Sequence, residues 1–407
     1  MRDNTVIVSR KSDNFSMVKE QIRIEQIKTK ALYEFALRVG DGTKGNGILP
    51  IGKPRARAYA ANPCTDENDI GLLVAHLGRK CIGYLGIMPG LLRRGDQFST
   101  IHWLSTWFVP PQFRKTSVGL QLVLKALSLR YDLVVCEMSG EAERVYRGLR
   151  FRELGHLHYY VINLGKLDPL SLGYHAIRKA LGLVGIRSEI PEKIVRRFAH
   201  VHSPITRILY GILLQGRKGN SPKIRYEEVK EIDNEMDLTD RSTDRTEFYR
   251  GAGIVNWMLR YRWTTERDKA KPSDLNYYFS EIRDVFKFVA LKVYSLDRKE
   301  YKGFVILSFS CRALRSVLKV LDYHFLRAED HQYIPFLALR YGSIYGANYL
   351  EVPESLVQYM KGIPLMNILL QRKKRIYLFH PKGSHSPLAT FSADIELNYC
   401  DGDTPFT

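Results

Sequence analysis

Phe98-Ser-Thr-Ile-His-Trp-Leu-Ser-Thr-Trp-Phe-Val109, then Pro110-Pro111, then Gln112-Phe-Arg-Lys-Thr-Ser-Val-Gly119 and Leu120-Gln-Leu-Val-Leu-Lys-Ala-Leu-Ser-Leu-Arg130 form the stretch whose reading decides the fold. The first run is β-rich and stops at two prolines, which cannot donate to a ladder. The last is an apolar helical run. A second strand follows at Leu133-Val-Val-Cys-Glu-Met138, and a short helical segment carries Ala142 and Tyr146 before Phe151. Strand, basic loop, helix, strand is an order with a physical use. The first turn of a helix offers unpaired backbone N–H groups at the positive end of its dipole, so an anion docks there if the loop lets it approach. Arg114 and Lys115 add charge, and Gly119 has no side chain in the way.

Arg114-Lys-Thr-Ser-Val-Gly119 resembles the pyrophosphate loop of the GNAT acetyltransferase superfamily, written Arg/Gln-x-x-Gly-x-Gly/Ala, with the Val-x-Pro strand end at Val109-Pro-Pro111. Ala142-Glu-Arg-Val-Tyr146 and Phe151 resemble the family's Ala-x-x-x-Tyr…Gly-Phe segment. Ser117 stands where the first glycine is usual, and Arg150 where Gly precedes Phe. The resemblance implies acetyl-CoA or another acyl-CoA as co-substrate, transfer by direct attack, and no metal. It implies cofactor binding by Val109, Gln112, Arg114, Lys115, Thr116, Ser117, Val118, Gly119 and Leu120. Tyr146 matches the position that often acts as general acid toward the CoA thiolate.

With 407 residues the chain is long for one domain and suggests two or three. A hydrophobic fraction of 45%, with 24 Tyr and 18 Phe, supplies real cores and argues against disorder. The balance of 62 basic to 43 acidic residues gives +19, which favours a polyanionic partner: nucleic acid, an acidic membrane surface or a phosphorylated ligand. The five cysteines are far apart, without metal-ligand spacing, and fit a reducing compartment. With no signal-peptide core at the N-terminus and no run of 18 apolar residues, a cytoplasmic protein is expected.

Along the chain, residues 5 to 9 read as a strand, Val18 to Val39 as a helix and Thr43 to Ala61 as a Gly-, Pro- and Arg-rich loop. Two strands at 70–77 and 81–88 flank a hairpin at Gly78-Arg-Lys80, the second closed by Pro89-Gly90. Residues 168–215 read as a helical bridge, with contact to an acidic membrane as the sharper alternative. Gly216 to Pro222 is a linker, and the pattern then restarts. A strand is expected at 223–233, a helix at 243–262, strands at 286–294, 301–309 and 318–325, a helix at 334–345, and strands at 349–352, 376–379 and 395–399.

Ile254-Val-Asn-Trp-Met-Leu-Arg-Tyr261 and Tyr399-Cys-Asp-Gly-Asp403 resemble GNAT-like proteins found with bacterial cell-surface polysaccharide biosynthesis. The whole then reads as an α/β (α+β) chain of two GNAT-like domains, each a mixed, mostly antiparallel sheet flanked by helices. An acyl-CoA-binding domain spans 1–167, a helical bridge and linker 168–222, and a second domain without a CoA loop 223–407. In that second half Ser310-Cys-Arg-Ala-Leu-Arg315 is the nearest basic stretch, and it lacks glycine.

Amine acylation also needs a base. The central strand holds no carboxylate, and His102 is its only side chain with a suitable resting pKa. Ser105 and Thr106 are placed to hold a water, with Asp96 and Glu137 as reserves. The leading expectation is an acyl-CoA-dependent N-acyltransferase acting on an amine of a small molecule, an amino sugar or nucleotide sugar if the second resemblance holds. Two alternatives stand beside it: a Fem-type transferase using aminoacyl-tRNA, and a non-catalytic GNAT-like scaffold or nucleic-acid-binding module.

Overall fold

The computed structural model describes residues 21–42, 48–164, 207–214, 224–233, 246–271, 276–297, 300–313, 315–360, 369–391 and 395–403. The strand expected at 5–9, the linker at 216–222 and all of the helical bridge except a helical piece at 207–214 lie outside these residues.

Six strands belong to the N-terminal half: β1 (Ile22–Lys28), β2 (Ile70–Leu77), β3 (Lys80–Arg94), β4 (Gln97–Phe108), β5 (Leu133–Cys136) and β6 (Arg152–Asn163). The C-terminal half adds β7 (Ile224–Val229), the short β8 (Thr246–Phe248), β9 (Thr265–Glu266) and β10 (Ile282–Arg283), then β11 (Val285–Ser295), β12 (Tyr301–Arg312), β13 (Arg315–Phe325), β14 (Tyr349–Pro353), β15 (Leu370–His380) and β16 (Ile395–Glu396). The long strands share one sheet in the order β1-β2-β3-β4-β5-β15-β6-β14-β13-β12-β11-β7, with β8 against β3 and β16 against β8. The long strands are antiparallel except for β4·β5 and β13·β14. The expected mixed, mostly antiparallel α/β architecture is what the chain adopts.

The order reads the same from both ends. Five strands of one half are followed by the sixth strand of the other, so β15 lies between β5 and β6, and β6 between β15 and β14. The boundaries 1–167 and 223–407 therefore cut through a continuous sheet. Tyr377, Leu378 and Phe379 of β15 are buried among N-terminal residues. Full burial of such side chains stabilises by roughly 1.5–3 kcal/mol each, so parting the halves exposes a shared core.

Helices α1 (Leu32–Gly42) and α2 (Lys53–Ala60) cover one face of the N-terminal half, while α3 (Val118–Ser128) and α4 (Gly140–Gly148) cover the other. In the C-terminal half α5 (Ala252–Arg260) joins the α1–α2 side, and α6 (Tyr333–Tyr345) takes the place that α3 has in the first half.

Five local expectations need correction. The first half of the 18–39 helix is strand β1: Ile22 and Ile24 pack toward α3 and Ile27 toward α1, and over so short a run periods of two and 3.6 pick out overlapping residues. The 43–61 loop contains α2, whose Pro54 sits in the first turn, where a missing N–H is harmless. The 243–262 helix is β8, a break at Gly251, and α5. β3 runs through Pro89, because there it has passed its last pair with β2, Leu72↔Gly86, and no ladder bond is lost. Of the strand expected at 395–399, only Ile395–Glu396 is extended in a ladder.

Candidate functional site

The site is built around the far end of β4. β4 and β5 pair in parallel only at His102↔Leu133 and Trp103↔Val134, while β5 holds β15 along its other edge from Leu133 to Cys136, and among the described residues the β5-facing edge of β4 from Leu104 to Phe108 carries no ladder. A bulge interrupts β4 here. Tyr84 pairs with Phe108 and Gly86 with Ser105, and Thr106 lies between them at φ 53°. A β-branched residue in the left-handed region marks strain that the surrounding packing must hold.

The loop that follows folds as one short 3₁₀ turn, Pro111–Phe113, and the start of α3. Phe113, Arg114 and Thr116 donate their amides to Pro110, Pro111 and Phe113 carbonyls. Among the described residues no group accepts from the amides of Lys115, Ser117, Gly119 or Leu120. Ser117 adopts helical angles, φ −76° and ψ −1°, so serine serves where the left-handed region would have required glycine. Its Oγ accepts from Gln121 Nε2 at 2.8 Å and so is drawn toward the helix. Gly119 lies so close to the Trp107 indole that a Cβ would stand 3.0 Å from Cζ2. Arg114 and Lys115 are exposed, and Arg114 Nε donates to the Val109 carbonyl at 3.2 Å. Four unpaired amides, two cations and a bare Gly119 fit a diphosphate chemically, and the open edge of β4 fits the amides of an extended pantetheine-like arm.

The two expected catalytic residues are both buried. Tyr146 is buried against Trp107 and Phe151, at 5.3 and 4.9 Å between ring centres, and burial pushes its hydroxyl up. His102 points into a buried pair with Asp69, Nε2 to Oδ1 2.9 Å, and stacks on Tyr131 at 3.7 Å. Burial works to raise Asp69, but the bonds from His102 and the Asp66 amide outweigh it and hold the carboxyl below its ordinary value. Six residues along β4 separate His102 from Phe108, about 20 Å, so it is not brought to the loop. Asp96 lies in the β3–β4 turn, farther still. Glu137 pairs with Arg375 at 2.6 Å.

A group that sequence reasoning missed stands one residue before the bulge. Ser105 Oγ donates to Asp403 Oδ2 at 2.9 Å and accepts from the Tyr59 hydroxyl at 3.1 Å. Arg55 Nη1 donates to both Ser105 Oγ and Asp403 Oδ2, each at 3.3 Å. Burial pushes the Tyr59 hydroxyl up, so it stays protonated and donates. The Arg55 guanidinium also lies 4.6 Å over the Trp263 ring. Asp403 keeps 20% side-chain exposure, and among the described residues its Oδ1 takes no bond.

Arginines hold the segment that brings Asp403 here. Arg375 Nη1 donates to the Tyr399 carbonyl at 2.8 Å, Arg250 Nη1 to Asp401 Oδ1 at 2.6 Å, and Arg55 to Asp403. Gly402, at φ 72°, makes the turn between the two aspartates against Cys136 and Trp103, where a Cβ would stand 3.1 and 3.4 Å away. Asp403 lies 298 residues from Ser105 and Arg55 lies in what reads as loop, so no local pattern could join them. The only trace in the sequence is Tyr399-Cys-Asp-Gly-Asp403 itself.

No family profile and no curated protein sequence matches the chain. Its structure is similar to that of a GCN5-related N-acetyltransferase from Anabaena variabilis, at 10% identity and a TM-score of 0.47 over 89% of this chain and 73% of the other. It is similar to a tandem GNAT protein from the clavulanic acid biosynthesis pathway, at 9% identity and a TM-score of 0.44 over 89% of this chain and 99% of the other. It is also similar to Saccharomyces cerevisiae N-myristoyltransferase with bound myristoyl-CoA, at 8% identity and a TM-score of 0.45 over 95% of this chain and 86% of the other.

Proposed function

We propose that the chain is an acyl-CoA-dependent N-acyltransferase whose donor site is the Gln112–Leu120 loop with the open edge of β4, and whose acceptor amine is received at Asp403. Acetyl-CoA or a related acyl-CoA supplies an activated thioester. The free amides of Lys115, Ser117, Gly119 and Leu120 hold its diphosphate, with Val109, Gln112, Thr116 and Val118 shaping the loop. Asp403 Oδ1 accepts a hydrogen bond from the incoming ammonium and takes its proton, while Arg55 and Ser105 fix Oδ2.

The observation that carries this reading is the placement of Asp403 and the loop at one end of the same strand. Ser105 and Val109 are four residues apart on and just past β4, about 13 Å. That is a span an extended acyl-CoA arm covers. An amino sugar or nucleotide sugar is the acceptor class favoured by the chain's motifs.

Thiol release from acetyl-CoA, followed over a panel of amino sugars and nucleotide amino sugars, tests the reading. Turnover with at least one acceptor, lost in Asp403→Asn while acetyl-CoA binding persists, supports it. Turnover unchanged in that variant removes Asp403 from the mechanism. Binding of tRNA with no response to acetyl-CoA favours an aminoacyl-tRNA-dependent transferase instead.

A further inference from the structure

A recess of about 330 Å³ opens on the C-terminal half, at the level where β13 and β14 make their last pairs, and nothing in acyl transfer uses it. Ser310 and Arg312 of β12, Arg315 and Lys319 of β13, Glu351 of β14 and Arg283 of β10 line it. Four cations thus face one carboxylate.

The carboxylates nearby are already engaged. Glu281 holds Arg283 at 2.6 Å. Glu351 accepts from the Tyr399 hydroxyl and stands 3.8 Å from Arg315. Asp284 is taken by the Ala313 amide at 2.7 Å and by Arg267 at 2.6 Å. Among the described residues Arg312 pairs with no carboxylate. Lys319 is half-buried, and desolvation, the largest influence on it, lowers its pKa, with Glu351 and Glu137 opposing the drop and Arg375 and Arg283 adding to it.

Like charges gathered in a partly desolvated recess repel one another, and an anion relieves that repulsion. Arginines are suited to tetrahedral oxyanions, which they meet through two parallel N–H bonds. We infer that this recess is a binding site for a phosphate-bearing small molecule, held by Arg312, Arg315 and Lys319 with Ser310 as a neutral donor. Its volume lies within the range of small-ligand sites. The site is independent of the acyl-transfer reading.

Calorimetric titration with inorganic pyrophosphate tests it, because the Gln112–Leu120 loop offers that anion a second site which its own variant can silence separately. Arg312→Ala/Arg315→Ala, two exposed positions at a hairpin end, is compared with Lys115→Glu. The expected result is at least tenfold weaker binding at one site in the double variant, with that site intact in Lys115→Glu and restored in Arg312→Lys/Arg315→Lys. Circular dichroism melting of the free protein is expected to be unchanged. Pyrophosphate binding that is unaffected by the double variant, or lost only in Lys115→Glu, overturns the proposal.

Discussion

The two halves of the sheet repeat one another strand for strand, yet the helix that follows the fourth long strand is entered differently in each. Where β4 leads through a glycine-bearing basic loop into α3, β13 leads through Leu326–Gln332 into α6, and that segment carries Glu329 and the buried Asp330, held by Lys302 at 3.3 Å. A carboxylate at the start of a helix occupies the place that an anion would need. The basic stretch Ser310–Arg315 is not the counterpart of that loop, since Arg312 and Arg315 pair across the β12–β13 hairpin. The contrast recurs on the other face. Arg250 is clamped between Asp322 and Asp401, which are 1% and 0% exposed, whereas Arg55 meets Asp403, which keeps 20% of its side chain in reach of solvent. One arginine–carboxylate cluster is closed and structural; the other is left open at one oxygen.

The largest expected effect breaks the closed cluster. Arg250→Met leaves two buried carboxylates facing each other and is expected to lower stability by about 3–5 kcal/mol, read by urea denaturation. Asp403→Asn, its counterpart in the open cluster, is expected to change stability by less than about 1 kcal/mol while lowering turnover about 10²–10⁴-fold, as removal of a proton acceptor does. Equal loss of stability in the two variants would dissolve the distinction.

The loops sharpen the comparison next. Gly119→Val pushes a side chain into Trp107 and is expected to abolish the acetyl-CoA-dependent rise in melting temperature, which at a hundredfold excess over Kd corresponds to about 2.7 kcal/mol. Arg327→Ala, in the matching C-terminal segment, is expected to leave that rise intact.

The smallest effect concerns the residue that sequence reasoning favoured as the base. Asp69→Asn weakens a charged hydrogen bond to His102 and is expected to lower stability by about 1.5 kcal/mol at neutral pH. Because Asp69 is held below its ordinary value, its contribution is complete above the unfolded value of about 3.9 and is lost as pH falls through the lower folded one. Wild type and variant melting curves should therefore converge only in acid. Turnover is expected to survive the substitution.

Much of the fold was legible in local pattern. β2, β11, β12, β13 and α6 lie close to where the sequence puts them, because each is a predominantly apolar run that ends up largely buried. Elements whose character comes from tertiary pairing were not: β1 needs β2 to be a strand, and α2 hides behind a Pro-Arg-rich composition that burial against Trp257 and Ser105 makes helical. The exchange of β6 and β15 left no sign in either strand, since both are only partly buried and side-chain pattern does not record which strand lies along each edge. For the site, the loop was readable because its chemistry is contiguous. Arg55, Tyr59, Ser105 and Asp403 were not readable as a unit, because only the folded tail joins them.

The most direct test of a single donor site in the N-terminal half is calorimetric titration of the intact chain with acetyl-CoA. One molecule bound per chain, with binding lost in Gly119→Val and Lys115→Glu and kept in Arg327→Ala, is the expected result; no binding, two equivalent sites, or binding indifferent to the loop would contradict it.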